Sequence, residues 1–254
     1  MFLVRFSIAG RNRWGRLQDN EITPLLSDPY DGIELDTRIT LPVDAVRLLP
    51  PAVPTKIVCV GRNYAEHARE LGNMVPDEPL LFLKPPSSLI PHQGVVRIPP
   101  QSTRVEHEGE LAVVIGQRLF RAKSTAVRDK ILGYTCFNDV TARDLQRKDV
   151  QFTRGKGFDT FAPCGPMLRT DLDPSDLAIE TAVSGQVRQS GRTSQMVVPV
   201  LDLIAYISSI MTLEPGDIVV TGTPAGVGPL VAGDSVDVTI EGIGTLSNTV
   251  ENWE

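Results

Sequence analysis

Three cysteines in 254 residues, Cys59, Cys136 and Cys164, are odd in number and far apart, which argues against a disulfide framework or a cysteine metal cluster. Each stands in an apolar or turn context and reads as a buried free thiol. Histidine is equally scarce. Neither His92, in a proline-rich loop, nor His107 has a His or Cys partner at ligand spacing, so neither supports a zinc site, and packing or surface roles are expected for both. No apolar run approaches the roughly 18 residues needed to span a bilayer. The segment Met1–Ile8 alternates like a strand and lacks the charged start and long apolar middle of a signal peptide, so a cytoplasmic protein is expected. A basic surplus is missing too. A net charge of −6 leaves no stripe to replace phosphate counterions, which argues against nucleic acid as a partner. No serine nucleophile elbow occurs. The glycine-rich run Val220–Gly228 lacks the Gly-Lys-Ser/Thr ending of a phosphate loop; its amides better suit a substrate carboxylate.

Against these absences, 21 glycines and 20 prolines punctuate segments that are mostly strand-like. Residues 1–52 read as a small β-rich unit: a strand at Phe2–Ile8, a turn around Gly10–Gly15 and a second run from Ile22. Arg47–Pro54, with three prolines, reads as the linker to a main body over 53–254. There, Lys56–Val60 reads as a buried strand and Tyr64–Leu71 as a short helix stopped by Gly72. Further helices are expected over Ser124–Leu132 and Pro199–Met211, strands over Ile218–Thr221 and Ser235–Ile240, and a hairpin turn at Ser184-Gly185. The fold class is α+β, dominated by β-structure.

The most informative run is Glu106-x-Glu108-x-Glu110 leading into Leu111-Ala-Val-Val-Ile115. On a strand, alternate positions share a face, so the three carboxylates crowd one side while Leu111, Val113 and Ile115 enter a core on the other. Solvent relieves that repulsion most simply; a hard divalent cation is the other solution. Asp139, after the apolar run Tyr134–Phe137, is either a helix cap or a carboxylate presented at a strand end. With two of the glutamates it would make a set of oxygen ligands with open positions. His67 and Glu70 are three apart on the short helix: either a solvated pair, or an imidazole whose basicity its carboxylate neighbour raises. That helix is weakly apolar, and the sequence suggests a mobile lid. Lys156, between Gly155 and Gly157, is either a turn lysine or a group that stabilises a developing oxyanion.

Together, Gly61-Arg-Asn-Tyr-Ala-Glu-His67, Leu81-Phe-Leu-Lys-Pro85, Glu108-Gly-Glu-Leu-Ala-Val-Val114, Asn138-Asp-Val-Thr-Ala-Arg-Asp144, Gly155-Lys-Gly-Phe-Asp159 and Thr221-Gly-Thr-Pro224 resemble the fumarylacetoacetate hydrolase superfamily over roughly residues 55–250. The resemblance is closest to its short bacterial members, the acylpyruvase-like and 2-hydroxyhepta-2,4-diene-1,7-dioate isomerase-like enzymes. It implies a mixed β-sandwich roll and a homodimer. It further implies Mg²⁺ or Mn²⁺ on Glu108, Glu110 and Asp139, catalytic roles for His67, Glu70 and Lys156, and substrate positioning by Arg143, Gln146 and Thr223. Glu106 falls outside that ligand set and is left as a neighbouring charge.

The chemistry expected of such a site is hydrolytic C–C cleavage of an acylpyruvate through an enolate, with His67 activating water. Isomerisation of a hydroxydiene dioate and decarboxylation of oxaloacetate pass through the same enolate and are the alternatives. A non-catalytic chain with a structural cation is the reading from another class.

Overall fold

The run Leu111–Ile115 lies near the middle of the computed structural model, which describes residues 1–253. Its strand, Gly109–Ile115, is paired antiparallel on one side with Ile131–Asn138 and on the other with Ile218–Val220. Leu111, Val113 and Ile115 pack with Val58, Val60, Leu203 and Ile207. Ala112 and Val114 pack on the opposite face with Ile57, Cys59, Phe137 and Ile218. Burial on both faces is why the run is continuously apolar.

Ile131–Asn138 is followed across the sheet by Ala162–Arg169 and then by the N-terminal strands Phe2–Ile8, Arg11–Gln18 and Glu21–Pro24. In the other direction Ile57–Gly61 lies parallel to Ile218–Val220, and Leu80–Lys84 closes that edge of the 12-stranded sheet. A second sheet of five strands contains Ser235–Ile240 and Gly244–Asn252, and Val238, Ile240 and Leu246 carry the first core across to it. Among the described residues four α-helices complete the fold: α1 (Ala65–Glu70), α2 (Arg143–Lys148), α3 (Thr153–Lys156) and α4 (Val200–Ile210). None is long and apolar enough to cross a membrane. The β-dominated α+β reading agrees with this architecture.

Three local expectations are corrected. The first turn is confined to Ala9-Gly10, both at positive φ, and Gly15 lies within the returning strand. A Cβ on Gly15 would stand 2.4 Å from the Ile22 side chain, so this glycine serves close strand packing rather than turning. Arg47–Leu49, expected as linker, pairs antiparallel with Phe2–Ile8. Ser124–Leu132 is not an α-helix. It forms two single 3₁₀ turns, after which Ile131 is drawn into pairing with Ile115.

A three-stranded sheet joins Val105–His107 to Thr141–Ala142 and Gly228–Pro229. It gathers the acidic run, the start of α2 and the end of the 220–228 loop at one place.

Candidate metal and active site

Glu106, Glu108 and Glu110 are buried, so solvent does not separate their charges. Arg143, at the start of α2, lies between the first two. Its Nε donates to Glu106 at 2.6 Å, one terminal nitrogen donates to Glu108, and the other donates to Gln146 at 2.5 Å. Glu110 receives the amide of Gly222. Asp139, equally buried, caps no helix. Glu108, Glu110 and Asp139 each offer an oxygen, and these lie within 4.8 Å of one another.

Two lysines share Asp139. Lys84 Nζ donates to Oδ1 at 2.6 Å and to the Val140 carbonyl at 3.0 Å. Lys156 Nζ donates to Oδ2 at 2.6 Å and to Glu108 at 2.7 Å. Lys156 therefore sits in no simple turn. Its helix α3 packs on α2 so closely that a Cβ on Gly155 would meet the Gln146 backbone at 2.9 Å. On Gly157 a Cβ would stand 2.4 Å from the Thr153 carbonyl. The glycines flanking Lys156 thus permit the packing that buries it.

The electrostatics follow from burial and these neighbours. Burial alone would raise the Glu108 carboxyl, but Lys156 and Arg143 outweigh it and hold that group well below the ordinary range. Glu110 moves the opposite way: burial, then Asp139 and Glu108, push it well up, and the Gly222 amide offsets only part. Burial lowers the Lys84 ammonium against the pull of Asp139. Lys156 is also opposed by burial, yet Asp139 and Glu108 leave it raised. A carboxylate trio in which one member resists ionisation is under-neutralised by its protein neighbours, and its hard oxygen donors fit a divalent cation.

Across the same cavity stands α1. Its His67 is buried, not solvated, and Nδ1 lies 3.3 Å from Glu70. Glu70 also accepts the Gly226 amide at 3.1 Å, which ties the end of α1 to the 220–228 loop. Asn63 holds the start of α1 by donating to Thr221 O at 2.9 Å and accepting the Val198 amide at 2.9 Å. The loop amides of Gly222 and Gly226 are thus given to the protein's own Glu110 and Glu70. The cavity, about 300 Å³, is lined by every residue given an expected metal, catalytic or substrate-positioning role except Glu70, which lies behind His67, as Glu106 lies behind Arg143. That volume is at the small end for ligand cavities and suits a small acid.

Thr223 lines the cavity with its hydroxyl hydrogen already donated to Gly109 O at 2.8 Å, while it accepts from Gln189 at 2.7 Å. Gln189 in turn accepts from Gly109 N and is paired with His107 Nδ1 at 3.1 Å, so His107 packs within this network. His92 likewise packs, accepting the Ser247 amide at 3.0 Å. Sequence reasoning missed Lys84 and Gln189. The lysine had a signal: a charge at the end of the apolar run Leu80–Leu83, before Pro85, is buried only when paired. Gln189 looked like any hairpin residue.

With this geometry in view, residues 56–251 match the sequence pattern of the fumarylacetoacetate (FAA) hydrolase C-terminal family, and residues 1–51 match an Rv2993c-like N-terminal family. The chain belongs to the fumarylacetoacetate hydrolase family. It is 50% identical to protein Rv2993c of Mycobacterium tuberculosis, over 82% of this chain and 80% of that protein. It is 46% identical to the mitochondrial oxaloacetate tautomerase FAHD1 of Arabidopsis thaliana, over 78% of this chain and 91% of that one. Its fold superimposes on the crystal structure of a 5-carboxymethyl-2-hydroxymuconate delta-isomerase from Mycobacterium smegmatis with a TM-score of 0.93 at 41% identity, covering 100% of both chains.

Proposed function

We propose that this protein is a divalent-metal-dependent enzyme that moves a proton between carbon and oxygen of a small 2-oxo acid, interconverting its enol and keto forms. One observation carries the reading: a buried trio of carboxylates suited to Mg²⁺ or Mn²⁺ shares a small cavity with a carboxylate-oriented histidine. The tautomerase and isomerase names borne by two of its relatives describe proton transfers of that kind. Oxaloacetate is the first substrate to try.

Glu108, Glu110 and Asp139 would hold the ion, which when bound supplies Lewis-acid stabilisation of negative charge on the 2-oxo oxygen. Glu70 engages Nδ1 of His67, which leaves Nε2 to accept or return a proton in the cavity. An ammonium has three hydrogens; Glu108 and Asp139 take two from Lys156, and the third remains for a substrate oxygen. Arg143 is held by three acceptors, so its remaining donors meet the substrate in a fixed direction. Gln146 accepts from Arg143 through its oxygen, which turns its amide nitrogen to other partners.

A second reading, hydrolytic cleavage of an acylpyruvate, is favoured by the same His67–Glu70 pair, which could instead take a proton from water. Purified protein with Mg²⁺ or Mn²⁺ should speed the loss of enol absorbance from freshly dissolved enol-oxaloacetate without releasing pyruvate. Pyruvate from acetylpyruvate or fumarylpyruvate would favour the hydrolase, and pyruvate from oxaloacetate would make it a decarboxylase. No metal-dependent change in any of these would sink the enzymatic reading.

A further inference from the structure

The cavity carries more positive charge than its carboxylates use. Arg62, Arg143, Arg147 and Lys156 line it against Glu108, Glu110 and Asp139. Arg143 and Lys156 are matched, since they hold Glu106, Glu108 and Asp139. Arg62 and Arg147 are not: among the described residues neither makes a side-chain hydrogen bond or an ion pair. A divalent ion on the carboxylates would enlarge the surplus.

Position adds to charge. On α2, Arg147 is one turn beyond Arg143, so the two share a helix face. Exposure rises along that face from buried Arg143 through half-buried Gln146 to exposed Arg147, which places Arg147 at the cavity mouth. Arg62 lies half-buried at the junction between the strand Ile57–Gly61 and α1. Its φ is +59°, the left-handed region that a side chain beyond glycine occupies at a cost and that clusters where function needs it.

We infer that Arg62 and Arg147 form a second anion subsite at the mouth of the cavity, which takes a carboxylate at the far end of the substrate. This rests on the enolate reading for the near end of the acid and deepens it. The substrate is then a 2-oxo dicarboxylate, read at one end by the buried centre and at the other by guanidinium pairing.

Calorimetry with Mn²⁺ present tests this without turnover. Pyruvate, 2-oxobutanoate and 2-oxopentanoate are compared with oxaloacetate, 2-oxoglutarate and 2-oxoadipate, on wild type, Arg62→Met, Arg147→Met and the double variant. At least one diacid should bind wild type about tenfold or more tightly than its monoacid counterpart, in line with a charge-assisted contact. That advantage should collapse in the double variant and be partly restored by Arg147→Lys. A diacid advantage that is absent in wild type, or that survives in the double variant, overturns the subsite. Wild type that binds diacids and monoacids alike with Mn²⁺ but shows no enol turnover would overturn both, whereas a diacid advantage without turnover would support the subsite and sink only the proton-transfer reading. Both arginines are at least partly exposed, and unchanged melting temperatures would exclude misfolding of the variants.

Discussion

Lys84 donates to Oδ1 of Asp139 at 2.6 Å, and both side chains are fully enclosed. Lys156 takes the other oxygen, so Asp139 is oriented from two sides. Lys84 is thus a positioning residue that fixes the rotamer of a proposed metal ligand. Lys84→Met should weaken Mn²⁺ binding by about tenfold to a hundredfold, as loss of an outer partner of a ligand does. Titration calorimetry reads this directly, and Mn²⁺ affinity unchanged in a folded Lys84→Met variant would contradict it.

The trio itself makes a sharper prediction. Glu110→Gln and Asp139→Asn should each abolish detectable metal binding and turnover together. The stability effects should differ. Glu110 already resists ionisation between Asp139 and Glu108, so removing its charge costs the fold little. Asp139→Asn leaves Lys84 and Lys156 buried without one of their counter-charges, a loss on the order of 3–5 kcal/mol. Melting in the presence of a chelator separates the two variants, and equal Tm values would refute the argument.

Much of this was legible in the sequence because it rests on period and spacing. Alternation placed Leu111, Val113 and Ile115 in one core, and the Ser184-Gly185 turn joins strands where expected. The helix over Pro199–Met211 is observed as Val200–Ile210. What failed depended on tertiary neighbours. The burial of the glutamates required Arg143, Lys156 and Gly222 to arrive from three other segments. The helical pattern at Ser124–Leu132 lost to strand pairing by Ile131. Gly15 looked like a turn residue, and only the facing Ile22 shows why it lacks a side chain. For Lys84 the apolar run before it signalled burial, but not its partner, since its counter-charge lies 55 positions away.

His67→Gln should keep metal binding and lower enol–keto turnover by about a hundredfold or more, the usual contribution of a positioned general base. Glu70→Gln tests whether orientation matters separately. It should lower turnover less than His67→Gln, and it should loosen the 220–228 loop, because Glu70 also accepts the Gly226 amide. Faster hydrogen exchange at Gly226 in Glu70→Gln, with unchanged exchange in the strand Gly109–Ile115, is the expected signature. The same experiment tests the lid suggested for α1, since a lid should exchange faster than that strand and slow when a 2-oxo acid binds.

Acid stability turns on a site remote from the cavity. Asp217 is fully buried at the entry to the strand Ile218–Val220. It accepts from the Thr55 amide at 3.0 Å, the Thr55 hydroxyl at 2.7 Å, the Lys56 amide at 3.1 Å, the Glu214 amide at 2.8 Å and the Lys56 ammonium. Burial pushes its carboxyl up, but the Lys56 ammonium and these hydrogen bonds outweigh it and leave the pKa lowered. A carboxyl depressed in the folded state stabilises the protein above its unfolded value, near about 3.9. That stability is lost as pH falls through the lower folded value. Asp217→Asn should therefore reduce stability near neutral pH by about 2–3 kcal/mol, within the range for hydrogen bonds to a charged group. The Tm gap between wild type and variant should stay constant down to about pH 5 and narrow below about pH 4. A gap that widens with acid would mean that the carboxylate is not the ionised acceptor this geometry requires, and that the Thr55–Lys56 segment is held to the sheet by other contacts.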